Sequence, residues 1–432
     1  MTGNTFNNQD LIQFLQDSPT PFHAVLSMSQ RLQAAGFVEL NENEDWSLQP
    51  GGKYFVVRSG TAIAAFIHGV ESSVDHGIRV VGAHTDSPCL KVKPMPSKLS
   101  NGYQQLSIEV YGGVLLAPWF DRDLSLAGRV VYRDTSGALK SALINFKRAI
   151  GSVPSLAIHL DRAANEGRKI NPHVEMDVVL GQSTQKLDFK LLLQEQMQLE
   201  GYENIAEILD FNLSFYDVQP PAVLGLNNEF LASARLDNLL SCYIGINSLI
   251  QADTTYTSVV ICNDHEEVGS RSEVGAQGPM LKDVLSRINP DPQANQKAIR
   301  RSLMLSVDNA HGIHPNYASK HDENHGPIIN AGPVIKFDAC QGYATNSDSA
   351  AFVRWLATKG EPIALQSFVM RADMRCGSTI GPITATELGI QTVDIGLATF
   401  GMHSVRELGG VKDGEQLNNL LMRFMSTETL KL

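Results

Sequence analysis

The chain has 432 residues, 43% hydrophobic and 19% charged, with a formal net charge of −11 at pH 7. Single cores seldom grow beyond ~250–300 residues, so this length suggests two domains, and the composition is globular rather than disordered. The negative balance, with no dense run of Lys and Arg, speaks against nucleic acid or an anionic membrane and leaves small molecules or peptides as partners.

From the start, DLIQFLQDSPTPFHAVLSMSQRLQAAGF carries apolar residues at helical spacing, broken by SPTP and closed by a glycine, which predicts two helices. KYFVVRSG, TAIAAFIHG and GIRVVGAHTDS follow as short apolar runs between turn residues and read as strands. The last is apolar on consecutive positions, as a central strand covered on both faces should be, and it delivers His84 and Asp86 at its carboxyl end. From about Lys91 to Ser233 the texture changes. QQLSIEVYGG, RVVYRD and ALKSALINF resemble antiparallel strands and KLLLQEQMQLEG a helix, so a separate module is expected. After Arg235, helix and strand alternate again through LDNLLSCYIGINSLIQ, TSVVICND, PMLKDVLSRI, RSLMLSVDNA and ATNSDSAAFVRWLATKG. Such alternation implies an α/β fold with a mixed, mostly parallel sheet and helices on both faces.

Five cysteines (Cys89, Cys242, Cys262, Cys340, Cys376) are scattered without a C-x-x-C pair, so neither a disulfide framework nor a thiolate zinc site is expected. The opening residues lack a basic then apolar leader pattern, and nowhere do 18 apolar residues run together. A cytoplasmic protein with no membrane partner is therefore expected.

Open α/β sheets bind ligands beyond the carboxyl ends of their strands. The residues leaving the predicted strands there are His84 and Asp86, the run Asp264 to Glu267, Asp308 and His403, with Asp237 opening a helix. Taken singly, each has an ordinary explanation: a hydrogen-bonded core histidine, a solvated acidic pair, a helix N-cap. Gathered at one rim they form a nitrogen and oxygen ligand set without thiolate, suited to a pair of divalent ions. A cation also explains why Glu266 and Glu267 stand side by side, since crowded carboxylates cannot all ionise without one. Because consecutive extended residues point to opposite sides, one can bind metal while the other faces substrate.

The motifs GAHTDSP, ARLDN, DHEEVGS, DNAHGIHPNY, GPVIK, CGSTIGP and GMHSVREL occur in the order seen in the aspartyl aminopeptidase family, which the chain resembles over nearly its whole length. The stretch MRADMR before CGSTIGP is similar to the bacterial branch and departs from the eukaryotic one. The resemblance implies a metallopeptidase domain, residues 1–91 plus 234–432, interrupted by a β-rich oligomerisation domain, 92–233, that builds a homo-oligomer, a tetrahedral dodecamer. It implies two divalent ions per subunit, zinc in first place with Mn and Co as alternatives. His84, Asp237 and Asp308 would hold one, and Asp237 as bridge, Glu267 and His403 the other. Glu266 would be the general base and Asp86 would accept the His84 imidazole N–H. Tyr343 and His159, the latter from a neighbouring subunit, would stabilise the oxyanion. His311 and Lys336 would meet an acidic side chain, so the expected reaction is removal of N-terminal Asp or Glu from peptides. The alternatives are a preference for neutral N-terminal residues, a related metal carboxypeptidase or deacylase, and a catalytically silent shell. No G-x-S-x-G elbow, Walker A loop or dinucleotide fingerprint competes with this reading.

Overall fold

The run Arg79–His84 sets apolar side chains alternately on the two faces of an extended segment, and such a strand needs cover on both sides. The computed structural model describes residues 6–430, and within it the chain divides into two compact units. One contains the described residues up to Asp86, Pro221–Met402 and those from Glu407 onward; the other is Ser87–Pro220 with His403–Arg406.

The first unit is built on nine strands: β1 (Val38–Glu39), β2 (Lys53–Arg58), β3 (Ala62–Ile67), β4 (Arg79–His84), β5 (Ser258–Asn263), β6 (Leu303–Val307), β7 (Val334–Phe337), β8 (Gln366–Val369) and β9 (Gln391–Gly396). Their order is β1-β2-β3-β5-β4-β6-β9-β7-β8. The central strands β5, β4, β6 and β9 are parallel to their neighbours within that set, while β3 and β7 pair antiparallel at its flanks. This is the mixed, mostly parallel α/β sheet that the alternation of segments implies.

Val81, Ala83, Val260, Cys262, Leu303 and Leu305 face one layer, packed by the helices Asn8–Asp17, Pro21–Ala34, Leu236–Gln251, Ser347–Ala357 and Asp413–Ser426. Val80, Val259, Ile261 and Met304 face the other, packed by Met280–Ile288, Pro292–Arg301 and Ile380–Leu388. Each fully buried aliphatic side chain contributes ~1.5–3 kcal/mol, so the two layers lock the register of the central strands. Because those strands run in parallel, their carboxyl ends share one edge. His84, the residues after Asn263 and the residues after Val307 emerge there together.

The second unit is a six-stranded antiparallel sheet, ordered Leu139–Asn145, Leu124–Asp134, Ile205–Asp217, Cys89–Ser100, Tyr103–Tyr111 and Val178–Gln182. Leu106, Leu126, Leu213 and Phe215 form its core with Leu193 and Met197 of the helix Phe189–Leu199. No helix among the described residues is long and apolar enough to cross a membrane.

At the amino end of β4, the fully buried Arg79 guanidinium donates to the carbonyls of His76 (3.0 Å), Gly77 (2.9 Å), Thr427 (3.2 Å) and Glu428 (3.0 Å). It also stacks 4.2 Å from the Tyr256 ring centroid. Arg79→Ala removes these donors and leaves a cavity. A loss of about 3 kcal/mol is expected in denaturant unfolding, and an unchanged midpoint would show that the clamp carries no stability.

Candidate metal centre

His84 is the last residue of β4, and Asp308 directly follows β6. The third member comes from a different direction: Asp237 lies in the first turn of the helix Leu236–Gln251, where its backbone departs from helical angles and its N–H donates to the buried carboxylate of Glu407 at 2.8 Å. The Asn238 side chain donates to the carbonyl of Val307 at 2.9 Å, tying the residue after Asp237 to the one before Asp308. As a result His84 Nε2 lies 3.3 Å from Asp237 Oδ1, 3.8 Å from Asp308 Oδ1 and 4.0 Å from Glu266 Oε2. One ligand atom from each of His84, Asp237 and Asp308 falls within 4.8 Å of the others, and the same holds for His84, Glu266 and Glu267.

The two glutamates are aimed by a turn. His265 adopts a left-handed backbone (φ 63°), held by its own ring on Ser272 Oγ at 2.8 Å and by its N–H on Asp264 at 2.7 Å. Beyond that turn the N–H groups of Glu266 and Glu267 each donate to one oxygen of the Asp86 carboxylate, both at 3.1 Å. His84 Nδ1 is 3.0 Å from the carbonyl oxygen of Asp86 and 3.4 Å from its carboxylate. A carbonyl can only accept, so Nδ1 carries a proton and Nε2 is the nitrogen turned to the cluster, the one that would give up its own proton to take a cation. Asp86 thus fixes the ring through its backbone as well, and its side chain bears on the glutamate turn.

Positive charge is scarce here. Burial, reinforced by Asp308, Asp237 and Asp86 against the opposing His84, pushes Glu266 up to about 7. Burial and Asp237 push Glu267 up to about 11. Although burial opposes its charge, the carboxylates of Asp237, Asp308 and Asp86 hold His84 well above the usual imidazole range. Asp308 Oδ1 is buried with no hydrogen-bond donor among the described residues, while Oδ2 faces the Lys336 ammonium at 3.4 Å. A lone pair aimed inward, an oriented imidazole and several carboxylates fit a divalent cation of the zinc, manganese or cobalt kind. The nearby Cys242 thiol is directed to the His84 carbonyl, 3.0 Å away.

Around Asp308 the fold gathers three further expected residues. Lys336, 1% exposed, also donates to the Asn309 carbonyl at 3.0 Å, and its ammonium lies 4.9 Å from the centroid of the buried Tyr343 ring. Burial raises the Tyr343 hydroxyl, reinforced by the neighbouring Cys376. His311 packs edge-on against Phe368, 5.7 Å between centroids, and burial with Lys336 lowers its affinity for a proton. His403 and His159 belong to the second unit. There His403 Nδ1 is 3.0 Å from the Gly113 carbonyl, and His159 is exposed on an irregular segment. Glu407, Asn238 and Asp264 are supporting groups to which the sequence reading assigned no separate role. Glu407 lies inside the GMHSVREL motif, the one signal that could have pointed to it.

An imidazole and carboxylate cluster at the carboxyl edge of parallel strands defines a candidate metal site, and the family of the chain gives it a hydrolase's chemistry. Residues 14–425 match the family described as Aminopeptidase I zinc metalloprotease (M18). A probable M18 family aminopeptidase 2 of Pseudomonas entomophila is 56% identical over 425 residues, 98% of this chain and 99% of its own length. One from Stutzerimonas stutzeri is 55% identical over 425 residues, with coverage of 98% and 99%. Among solved structures, the chain is similar to prApe1 (TM-score 0.91, 30% identity, 97% of this chain and 94% of that one). It is also similar to the S. cerevisiae mApe1 dodecamer (TM-score 0.83, 29% identity, 96% and 94%). The chain belongs to the M18 family of zinc metalloaminopeptidases and is a hydrolase.

Stripped of metal, the folded protein keeps a proton on Glu266 up to about 7, whereas the unfolded chain releases it near the ordinary 4.5. The native state binds more protons in that window, so its stability must fall as pH rises through it. Calorimetry on chelator-treated protein should therefore show a melting temperature that drops across this range, with a shallower slope for Glu266→Gln. Equal slopes for the two proteins would contradict the charge crowding.

Proposed function

We propose that the protein removes N-terminal residues, Asp or Glu by preference, from peptides with two zinc ions. His84, Asp237 and Asp308 would hold one, and Asp237 as bridge, Glu267 and His403 the other. The close approach of His84, Asp237 and Asp308 at the strand edge is the observation that carries this reading. For His403, the Gly113 carbonyl at Nδ1 makes Nε2 the metal-facing nitrogen. When bound, the ions polarise the scissile carbonyl and acidify the attacking water.

The Glu266 carboxylate accepts the proton of that water and returns it to the leaving amine, as befits a half-buried side chain whose backbone is pinned by Asp86. Tyr343, with its hydroxyl neutral, donates to the developing oxyanion, aided by His159 from a neighbouring subunit. His311 and Lys336 supply the polar and positive surface for an acidic side chain. A homo-oligomer, specifically a tetrahedral dodecamer, fits a chamber that admits only peptides, and the β-rich unit is its assembly module. The five free thiols agree with a cytoplasmic setting.

One observation favours a preference for neutral residues instead: the Lys336 ammonium already serves Asp308 and the Asn309 carbonyl. Hydrolysis of peptides beginning with Asp, Glu or Leu by zinc-reconstituted enzyme separates the two readings. Acidic substrates should show the higher kcat/KM, and Lys336→Met should erase that advantage. A Leu preference in the unmodified enzyme selects the neutral reading, and activity only on N-terminally blocked peptides would reject both. Glu266→Gln should keep its zinc while kcat falls ~10²–10⁴-fold; undiminished turnover would remove Glu266 from the proton-transfer role.

A further inference from the structure

Asp394, in the middle of β9, is completely buried and has no role in the ligand set. Its carboxylate takes donors from two separate segments: Thr379 Oγ1 at 2.5 Å on one oxygen and the Ala344 backbone N–H at 2.6 Å on the other. Its own N–H donates to Thr345 Oγ1 at 2.9 Å. The residues flanking Tyr343 on its carboxyl side are therefore held twice by one aspartate. Thr379 is also the N-cap of the helix Ile380–Leu388, accepting from the Gly381 N–H at 3.2 Å, so the positive end of that helix faces the carboxylate. A Cβ at Gly381 would come within 2.5 Å of Asp394 Oδ1, which explains a glycine in the first turn of that helix. Burying a carboxylate costs several kcal/mol unless it is fully bonded, and an apolar residue on a core strand would hold the sheet equally well. The acid is therefore better explained by what it grips.

We propose that Asp394 is a positioning residue of the active site, which fixes the segment Tyr343–Thr345 and thereby sets the Tyr343 hydroxyl for its partner in the reaction. The inference rests on the reading of Tyr343 as an oxyanion donor. Lys336 connects the two halves of this arrangement, with its ammonium 3.4 Å from Asp308 Oδ2 and 4.9 Å from the Tyr343 ring centroid. A shift of the 343–345 backbone would move the Tyr343 ring, whereas His84, Asp237 and Asp308 are carried by β4, the helix Leu236–Gln251 and the end of β6.

The test is a double-mutant cycle on the zinc-loaded enzyme with Asp394→Asn, Tyr343→Phe and the double variant, with Thr379→Val as a milder substitution of the same grip. Tyr343→Phe should lower kcat about 10²-fold. Asp394→Asn should lower it about 10-fold with KM within about twofold and zinc content unchanged, and should cost less than about twofold in the Tyr343→Phe background. Thr379→Val should follow the same pattern with a smaller loss, which keeps the test informative if Asp394→Asn does not fold. Full additivity of either variant with Tyr343→Phe, or loss of zinc, overturns the positioning role. Unchanged kcat in Tyr343→Phe overturns the oxyanion reading itself, and this inference with it.

Discussion

Too much negative charge in too little water is the constraint on which the first unit depends. Asp86, Asp237, Asp308, Glu266 and Glu267 surround one imidazole at the end of β4, and Lys336 is the ammonium drawn into their midst. A protein could relieve such crowding by protonating the acids or letting water in, and either would leave the groups loosely placed. Here burial makes Glu266 and Glu267 hold protons more tightly when no metal is present, and a bound cation does the same neutralising work while fixing the groups in place. The fold's parallel strands generate the crowding, and the family's zinc chemistry uses it.

The side chains of this cluster are not left to orient themselves. Each is held through backbone contacts from elsewhere in the first unit: Glu407 on the N–H of Asp237, Asn238 on the strand leading to Asp308, the Asp86 carboxylate on the amides of both glutamates. Each of these contacts grips main chain rather than the carboxylate that it aims. The same device recurs at Asp413, whose carboxylate accepts the N–H groups of Asn330 and Gly332 ahead of β7, the strand that carries Lys336.

Much of the first unit was legible because its strands are apolar on consecutive positions and end abruptly in polar residues. That pattern identified β4, β5 and β6 and placed His84, Glu266, Glu267 and Asp308 at one edge. The contacts that aim these residues were not legible. The turn at His265 uses a left-handed backbone on a non-glycine residue, which leaves no compositional trace, so the link between the Asp86 carboxylate and the glutamate amides could not be foreseen. Asp394 reads as one polar residue within a strand, and only tertiary pairing reveals its two donors. Lys336 suggested a charge for substrate, whereas its neighbours Asp308 and Asn309 come from a strand that pairing places two positions away across the sheet.

The lysine has a consequence for how the centre is loaded. Its ammonium reaches Asp308 from within the sheet and rests on a backbone carbonyl, so one carboxylate oxygen stays engaged while the other faces the cluster. The rotation of the Asp308 side chain is thereby restrained before any ion is bound, so as a ligand it would have little entropy left to lose.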